Sequence, residues 1–288
     1  MPFALAGTLW EPGREAGPDA IRFDVAVFEG PEAGRLPERD LVWTRRRDGW
    51  DLALGDLLRA RIGLEQAHVS AEVSRGLLAG NPSLATRYLF EAPATALLSR
   101  RKWQILHAAA VVGSRGAVVI RGGPGAGKST LAAALAGEGL SVLADESLLV
   151  AREDPEDLAA GVRDLTLLPD GAEILGLFDG TEPAFTGGEA KRRVDLRTGT
   201  SPAARHARLA AAVLLGDRDR TPAALVPLPA EVFAAAFREG EIPQERDGAD
   251  PDVIARAWGA RGGFRLDGAR DLAGALRRLE TIARSSEI

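Results

Sequence analysis

The sequence predicts an α/β fold with a small β-rich N-terminal domain, residues 1–92, and a larger domain of strands and helices, residues 93–288. Two observations predict it. Short alternating runs separated by turns fill the first part, as in residues 41–46 and 50–54 on either side of an Asp48-Gly49 hairpin signal. After Gln104, apolar strand-like runs alternate with helical ones, which is the pattern of an α/β core.

Composition excludes several classes of protein. The 288 residues are 45% hydrophobic, and no apolar run approaches the ~20 residues of a membrane span. There is no cysteine, so disulfides, thiolate metal sites and cysteine nucleophiles are excluded. A net charge of −5 without a block of like charge argues against a nucleic-acid partner. The first ten residues lack a basic segment before their apolar ones, and we expect a cytoplasmic protein.

The elements follow in order from hydrophobic pattern and breakers. In the N-terminal domain we expect further strands at residues 21–28 and 67–73. A short helix at 94–102 follows the Asn81-Pro82 break. In the larger domain, a turn at 113–116 joins strands at 105–112 and 117–120. Beyond these we expect a helix at 131–136, strands at 141–144, 147–151 and 210–215, and helices at 230–239, 252–260 and 269–284.

One motif indicates the chemistry. Residues 122–129 fit G-x-x-x-x-G-K-[ST], between a predicted strand and a predicted helix. Glycines let the backbone N–H groups turn inward around a polyphosphate, and the helix N-terminus adds partial positive charge. In such a loop the lysine reaches the β- and γ-phosphates and the serine hydroxyl binds Mg²⁺. The predicted nucleotide-binding residues are Gly122, Gly123, Pro124, Gly125, Ala126, Gly127, Lys128, Ser129 and Thr130.

Two acidic residues end the strand that follows this helix. The carboxyl ends of strands in an α/β sheet meet at the ligand crevice, so a carboxylate on Asp145 can hold Mg²⁺ or accept a proton from an attacking hydroxyl. Glu146 would point the other way if the segment stayed extended, unless the strand ends first. The alternative is that Asp145-Glu146 only begins a turn.

Two further candidates are less specific by themselves. His107 lies on the predicted strand before the loop strand, where a histidine is more often part of the core than catalytic. Lys191, Arg192 and Arg193 follow a glycine pair, and a mobile basic loop there could close over ATP and stabilise transition-state charge. A solvated basic turn is the equal alternative.

His107, the loop at 122–129 and the tetrapeptide Leu143-Ala144-Asp145-Glu146 together resemble the core of the HPr kinase/phosphorylase family. That family has a histidine upstream of its phosphate loop and V-A-D-D at the end of the next strand. The resemblance covers residues 103–150 and implies a P-loop kinase core of the HPr kinase/PEP carboxykinase-like type. Glu146 replaces the family's second aspartate, and the family's later Pro-Gly-Arg segment has no clear counterpart. The layout is closer to the HPr-kinase-like enzymes that modify ribosomally made peptides, including lasso-peptide precursors.

The resemblance implies an ATP- and Mg²⁺-dependent kinase that phosphorylates a serine hydroxyl of a peptide or protein. Asp145 would be the general base, with Lys128 and His107 as catalytic residues near the phosphates. Ser129, Asp145 and Glu146 would be on the metal side. Two alternatives keep the nucleotide site: a kinase acting on a small-molecule hydroxyl, and a nucleotide-binding regulatory module without transferase activity. The family often forms hexamers, but this sequence has no clear counterpart of its docking segment, so the oligomeric state stays open, with a homo-oligomer as one alternative.

Overall fold

The computed structural model describes residues 21–31, 41–162, 165–175, 181–186, 189–194, 204–238, 245 and 251–284. These residues divide into two compact units. The first unit contains the described residues up to Arg101 together with Pro183–Lys191. The second contains Lys102–Glu182 and the described residues from Arg192 onward. Every predicted site residue except Lys191 belongs to the second unit.

The first unit contains a five-stranded sheet of order β1-β5-β4-β3-β2. β1 runs parallel to β5, and the other neighbours are antiparallel. Apolar residues such as Leu52, Leu58 and Val69 form its core with Leu77 and Leu89. The strands are β1 Arg22–Phe28, β2 Leu41–Arg45, β3 Gly49–Leu54, β4 Leu58–Gly63 and β5 His68–Ser74. Helices α1 Arg75–Gly80, α2 Pro82–Thr86 and α3 Ala92–Arg100 follow, with a π-helical segment Arg87–Glu91 between the last two.

The second unit contains the remaining elements, except that residues 183–186 of one strand and 189–191 of the next belong to the first unit. Its first strands are β6 Trp103–Leu106, β7 Ala109–Gly113, β8 Gly116–Arg121, β9 Ser141–Ala144, β10 Ser147–Ala151 and β11 Asp157–Val162. The later strands are β12 Leu165–Leu167, β13 Thr181–Thr186, β14 Glu189–Val194, β15 His206–Leu215, β16 Ala224–Leu228 and β17 Gly263–Asp267. The helices are α4 Lys128–Gly137, α5 Pro169–Ile174, α6 Ala230–Phe237, α7 Pro251–Gly262 and α8 Leu272–Arg284. No helix among the described residues is long and apolar enough to cross a bilayer.

A mixed nine-stranded sheet organises the second unit. Its main path is β6-β10-β11-β15-β8-β7-β9, and β17 and β16 extend it beside β15. β15 runs parallel to β8 and to β17, whereas the remaining pairs are antiparallel. A separate three-stranded sheet has the order β12-β14-β13. The predicted α/β class is therefore confirmed as a mixed α/β fold.

Both faces of the large sheet are covered, because successive side chains of a strand point to opposite faces. Val118 and Ile120 of β8 belong to the core cluster that includes α4 and α8. Ala117 and Val119 of the same strand belong to the cluster that includes Trp258 of α7 and residues of α6. A strand buried on both sides explains why residues 117–120 are an uninterrupted apolar run.

The order of three strands positions the candidate site. β7 lies between β8 and β9 and is antiparallel to both, with Ala109 opposite Ile120 and Ala110 opposite Ala144. β8 and β9 therefore run in the same direction and end at the same edge of the sheet, where β7 begins. The loop after β8, the residues after β9 and the residues before β7 meet there. The convergence expected for a parallel sheet thus arises in a mixed one.

One predicted strand is wrong in a way that matters for the site. Residues 105–112 were expected to form a single strand, but it breaks at His107 and Ala108 into β6 and β7. β6 pairs with β10, whereas β7 pairs with β8 and β9. Apolar periodicity is continuous across the break and so does not reveal it, because both halves are buried strands.

Candidate functional site

The glycine-rich loop, residues 122–127, joins the end of β8 to the start of α4 as predicted. Gly125 and Gly127 have φ values of +72° and +101°, in the left-handed region that glycine adopts without strain. A Cβ added at Gly123, Gly125 or Gly127 would meet nothing within 4 Å. The Cβ positions of these glycines therefore face open space, and the tip of the loop at Pro124 and Gly125 is exposed.

Lys128, the first residue of α4, is held at the base of the loop. Its Nζ donates to the carbonyls of Gly122 at 3.0 Å and Gly123 at 3.1 Å, and only 6% of the residue is exposed. The ammonium group is thus fixed beside the loop's own backbone. An anion entering the loop would meet a cation that is already placed, together with the N-terminus of α4.

Asp145 contacts the loop helix directly. The Ser129 hydroxyl donates to Asp145 Oδ1 at 2.9 Å, and Asp145 is fully buried at the end of β9. A buried carboxylate needs hydrogen bonds to offset its desolvation, and Ser129 supplies one. The structure thereby brings together two residues that the sequence predicted on different elements.

Glu146 ends the strand with a sharp turn. Its φ is +70°, and Ser147 N donates to Asp145 O at 2.9 Å, so the three residues form a γ-turn of the rare kind with positive φ. Such conformations cost about 1–3 kcal/mol and occur preferentially at functional sites. The strand therefore does end first, and Glu146 leaves the extended path with its side chain 27% exposed.

His107 is tied to this turn. Its Nδ1 lies 3.1 Å from the Glu146 carbonyl oxygen and 3.8 Å from the Glu146 carboxylate. Because a carbonyl only accepts, Nδ1 carries the hydrogen. Burial, followed by the positive charge of Lys128, lowers the pKa of His107 below its usual value. The imidazole is therefore neutral at pH 7, with Nε2 unprotonated.

Sequence reasoning missed a buried ion pair behind the loop. Arg121, the last residue of β8, donates through Nη1 and Nη2 to the two carboxylate oxygens of Glu245 at 2.9 and 2.7 Å. Glu245 Oε1 also accepts from the main-chain N–H of His107. The sequence does contain one signal of this pair. Arg121 ends an apolar strand, and a guanidinium buried there needs a partner. The identity of that partner was not predictable from the pattern.

A second missed residue lies on the open side of the loop. β15 ends at the same edge as β8, and the exposed segment 216–220 follows it. Within that segment Arg218 Nη1 donates a long hydrogen bond to Gly125 O at 3.4 Å. Its neighbour Arg220 pairs instead with Asp267. Nothing local distinguishes the sequence Asp217-Arg218-Asp219-Arg220 from a surface turn.

The remaining predicted residues are Thr130 and the basic residues 191–193, and the structure describes only the backbone of the basic ones. A Cβ on Gly171 of α5 would lie 2.8 Å from Thr130 Oγ1, so Thr130 packs against α5. Arg192 and Arg193 lie in β14 opposite Leu167 and Thr166, and Lys191 lies in the same strand. They therefore belong to a strand and not to the predicted loop. The preceding Gly187 and Gly188 and all three side chains fall outside what the structure describes.

Comparisons with known proteins add little. No family model matches the sequence, and no curated protein matches it. Among solved structures, the chain is similar to the Hpr(Ser) kinase/phosphatase from Coxiella burnetii, with 20% identity and a TM-score of 0.28. The match covers 41% of this chain and 63% of that one, so the chain spans less than two thirds of that protein. A similarity this distant carries no conclusion about activity, and the site geometry must support any assignment.

Proposed function

We propose that the protein is an ATP- and Mg²⁺-dependent kinase that transfers the γ-phosphoryl group to a serine hydroxyl of a peptide or protein. The hydrogen bond between Ser129 and Asp145 carries the proposal. It places a carboxylate beside the hydroxyl that, in a loop of this sequence, would bind the nucleotide's metal. A glycine-rich turn without function has no need for a buried carboxylate at that position.

The residues present fit a nucleotide-bound Mg²⁺. The described residues contain no group of three or more His, Asp or Glu side chains that could hold a metal without other ligands. Mg²⁺ in such sites usually takes one or two carboxylates, with phosphate oxygens and waters completing its shell. Ser129 and Asp145 would hold it, with Glu146 nearby, and the bound ion would neutralise charge on the phosphates.

In the proposed reaction these groups account for the proton that is transferred and for the charge that develops on the phosphates. The acceptor oxygen attacks the γ-phosphorus as the bond to the β,γ-bridging oxygen breaks, and ADP leaves. Oδ1 of Asp145 faces Ser129 and the metal side, so its other oxygen, Oδ2, accepts the proton of the acceptor hydroxyl, as the resemblance to the HPr kinase family implies. Lys128 neutralises charge on the β- and γ-phosphates. His107, neutral and fixed through Nδ1, offers Nε2 as a hydrogen-bond acceptor, and it lies close enough to Lys128 for that charge to lower its pKa.

Two features support a peptide or protein acceptor. The loop tip at Pro124 and Gly125 is exposed, so a large substrate could approach it. The resemblance of residues 103–150 is to kinases whose acceptor is a serine in a polypeptide. A precursor of a ribosomally made peptide is the acceptor that this layout favours.

Radiolabelled ATP, Mg²⁺ and candidate serine-containing peptides would test the proposal, with phosphoserine located by mass spectrometry. Asp145→Asn should abolish transfer while leaving nucleotide binding measurable. Unchanged transfer by Asp145→Asn would remove the role assigned to that carboxylate. Labelling of a small-molecule hydroxyl alone would identify the acceptor class as wrong. Nucleotide binding without any phosphorylated product would favour a regulatory module.

A further inference from the structure

The contacts around the loop form a closed ring. Arg121 directly precedes the loop and pairs with Glu245, which accepts from the His107 N–H. His107 Nδ1 donates to the Glu146 carbonyl. Through the γ-turn, Glu146 adjoins Asp145, which accepts from Ser129 just after the loop. The ring thus connects the two ends of the loop through the candidate catalytic groups.

Glu245 is the member of this ring that reaches most elements. Both of its carboxylate oxygens face Arg121, and its main-chain oxygen accepts from Gln104 Nε2 of β6 at 2.9 Å. It therefore links β6, the break between β6 and β7, and the end of β8. Neither Glu245 nor Arg121 is more than 1% exposed in its side chain.

The arginine is held equally firmly. Arg121 Nε donates to the Phe237 carbonyl at 2.9 Å, and its guanidinium carbon lies 4.2 Å from the Phe237 ring centroid. Stacking on an aromatic face and a bidentate carboxylate leave the guanidinium a single orientation. A buried ion pair is weak evidence for stability, since apolar replacements are often as stable. In this protein the pair holds the guanidinium, the Glu245 carboxylate and the main-chain N–H of His107 in one arrangement.

We infer that Glu245 is a positioning residue, which holds His107 and the Asp145–Glu146 turn in register with the phosphate loop. The inference rests on the proposed kinase function. His107 lies on the connection from β6 to β7, and Glu146 lies on the connection from β9 to β10. The Glu245 carboxylate anchors the β6–β7 connection to Arg121 of β8, and the His107 ring bonds the β9–β10 connection to the β6–β7 connection.

Two double variants of the full-length protein separate positioning from charge pairing. Arg121→Gln with Glu245→Gln removes both charges but keeps an acceptor for the His107 N–H. Arg121→Met with Glu245→Leu removes the charges and the acceptor. Both avoid the unpaired buried charge that a single substitution leaves. Arg208→Gln, which breaks two surface ion pairs of the same unit, is the control.

The Met/Leu pair should lower kcat by about 100-fold, because a misplacement of ~1 Å costs that much. Its KM for ATP should stay within about threefold, since the loop itself is intact. The Gln/Gln pair should keep kcat within about tenfold of the wild-type value. The control, Arg208→Gln, should have the kcat of the wild type. Equal kcat in the two pairs, or a change confined to KM, would overturn the inference.

A spectroscopic readout keeps this test separate from the kinase proposal. Isotope-labelled histidine would report the tautomer of His107, which carries its hydrogen on Nδ1 in the wild type. We expect the Gln/Gln pair to preserve that signature and the Met/Leu pair to lose it. If no acceptor is phosphorylated but the tautomer follows this pattern, the kinase proposal fails and the positioning role stands. An unchanged tautomer in the Met/Leu pair refutes the positioning role.

Discussion

The Ser129 hydroxyl lies 2.9 Å from Asp145 Oδ1 and joins the first turn of α4 to the end of β9. The two residues come from different elements and are neighbours only because β8 and β9 run in the same direction on either side of β7. An oxygen pair of this kind, next to a lysine fixed by two loop carbonyls, is suited to a cation bound with a polyphosphate.

Ser129→Ala should weaken binding of Mg²⁺-ATP by about 10-fold or more, as losing support at a metal site commonly does. Without metal, ADP affinity should be nearly unchanged, because the substitution leaves the loop backbone intact. Titration calorimetry with and without EDTA would measure both. Ser129→Thr, which keeps a hydroxyl, is the matched control. Equal Mg²⁺-ATP affinity in Ser129→Ala and the wild type would contradict the assignment.

Gly127→Ala should destabilise the fold by about 1–2 kcal/mol, the cost of placing an L-residue in the left-handed region. Gly123→Ala should change the free energy of unfolding by less than about 0.5 kcal/mol. Neither added methyl group meets an atom within 4 Å, and the structure gives no positive φ at Gly123. Urea unfolding of the two variants would compare them. Similar losses in both would show that backbone strain is not the cause.

Arg218→Ala should weaken nucleotide binding by roughly tenfold, the value of about one charge-assisted hydrogen bond. The effect should shrink as salt rises, because the side chain is exposed. Fluorescent nucleotide titrations at two ionic strengths would measure it. Arg220→Ala is the control, since Arg220 pairs with Asp267 while Arg265 also contacts that carboxylate. If the two variants bind nucleotide alike, Arg218 has no special role at the loop.

His107 should make the folded protein less stable as the pH falls below about 6.5, the ordinary pKa of histidine. Burial and Lys128 lower the pKa of His107 in the folded state, so the unfolded chain binds more protons in the window below that pH. Stability therefore rises with pH across the window and levels off above it. Urea unfolding of the wild type and His107→Gln from pH 8 to pH 5.5 would measure the difference in the free energy of unfolding. A difference independent of pH would contradict the lowered pKa.

Much of the site could be predicted because its signals are local. The glycines at 122–127 with Lys128 and Ser129 describe a loop in any fold, and Asp145 followed an unmistakable apolar strand. Glu245 and Arg218 could not be found in this way. Glu245 lies far along the chain from Arg121, and tertiary contacts bring the two together: Phe237 of α6 contacts the guanidinium, and Gln104 of β6 contacts Glu245. The position of Arg218 beside the loop depends on the parallel pairing of β15 with β8.

The sequence by itself determined the α/β class and the loop between β8 and α4, and it is the source of the residues that we propose for nucleotide binding. Those properties follow from backbone freedom and hydrophobic period, which act over a few residues. Tertiary structure alone decided that β7 separates β8 from β9, that the chain breaks at His107, and that Glu146 turns through a positive φ. These depend on strand pairing and buried charge between distant segments, and no local pattern encodes such contacts.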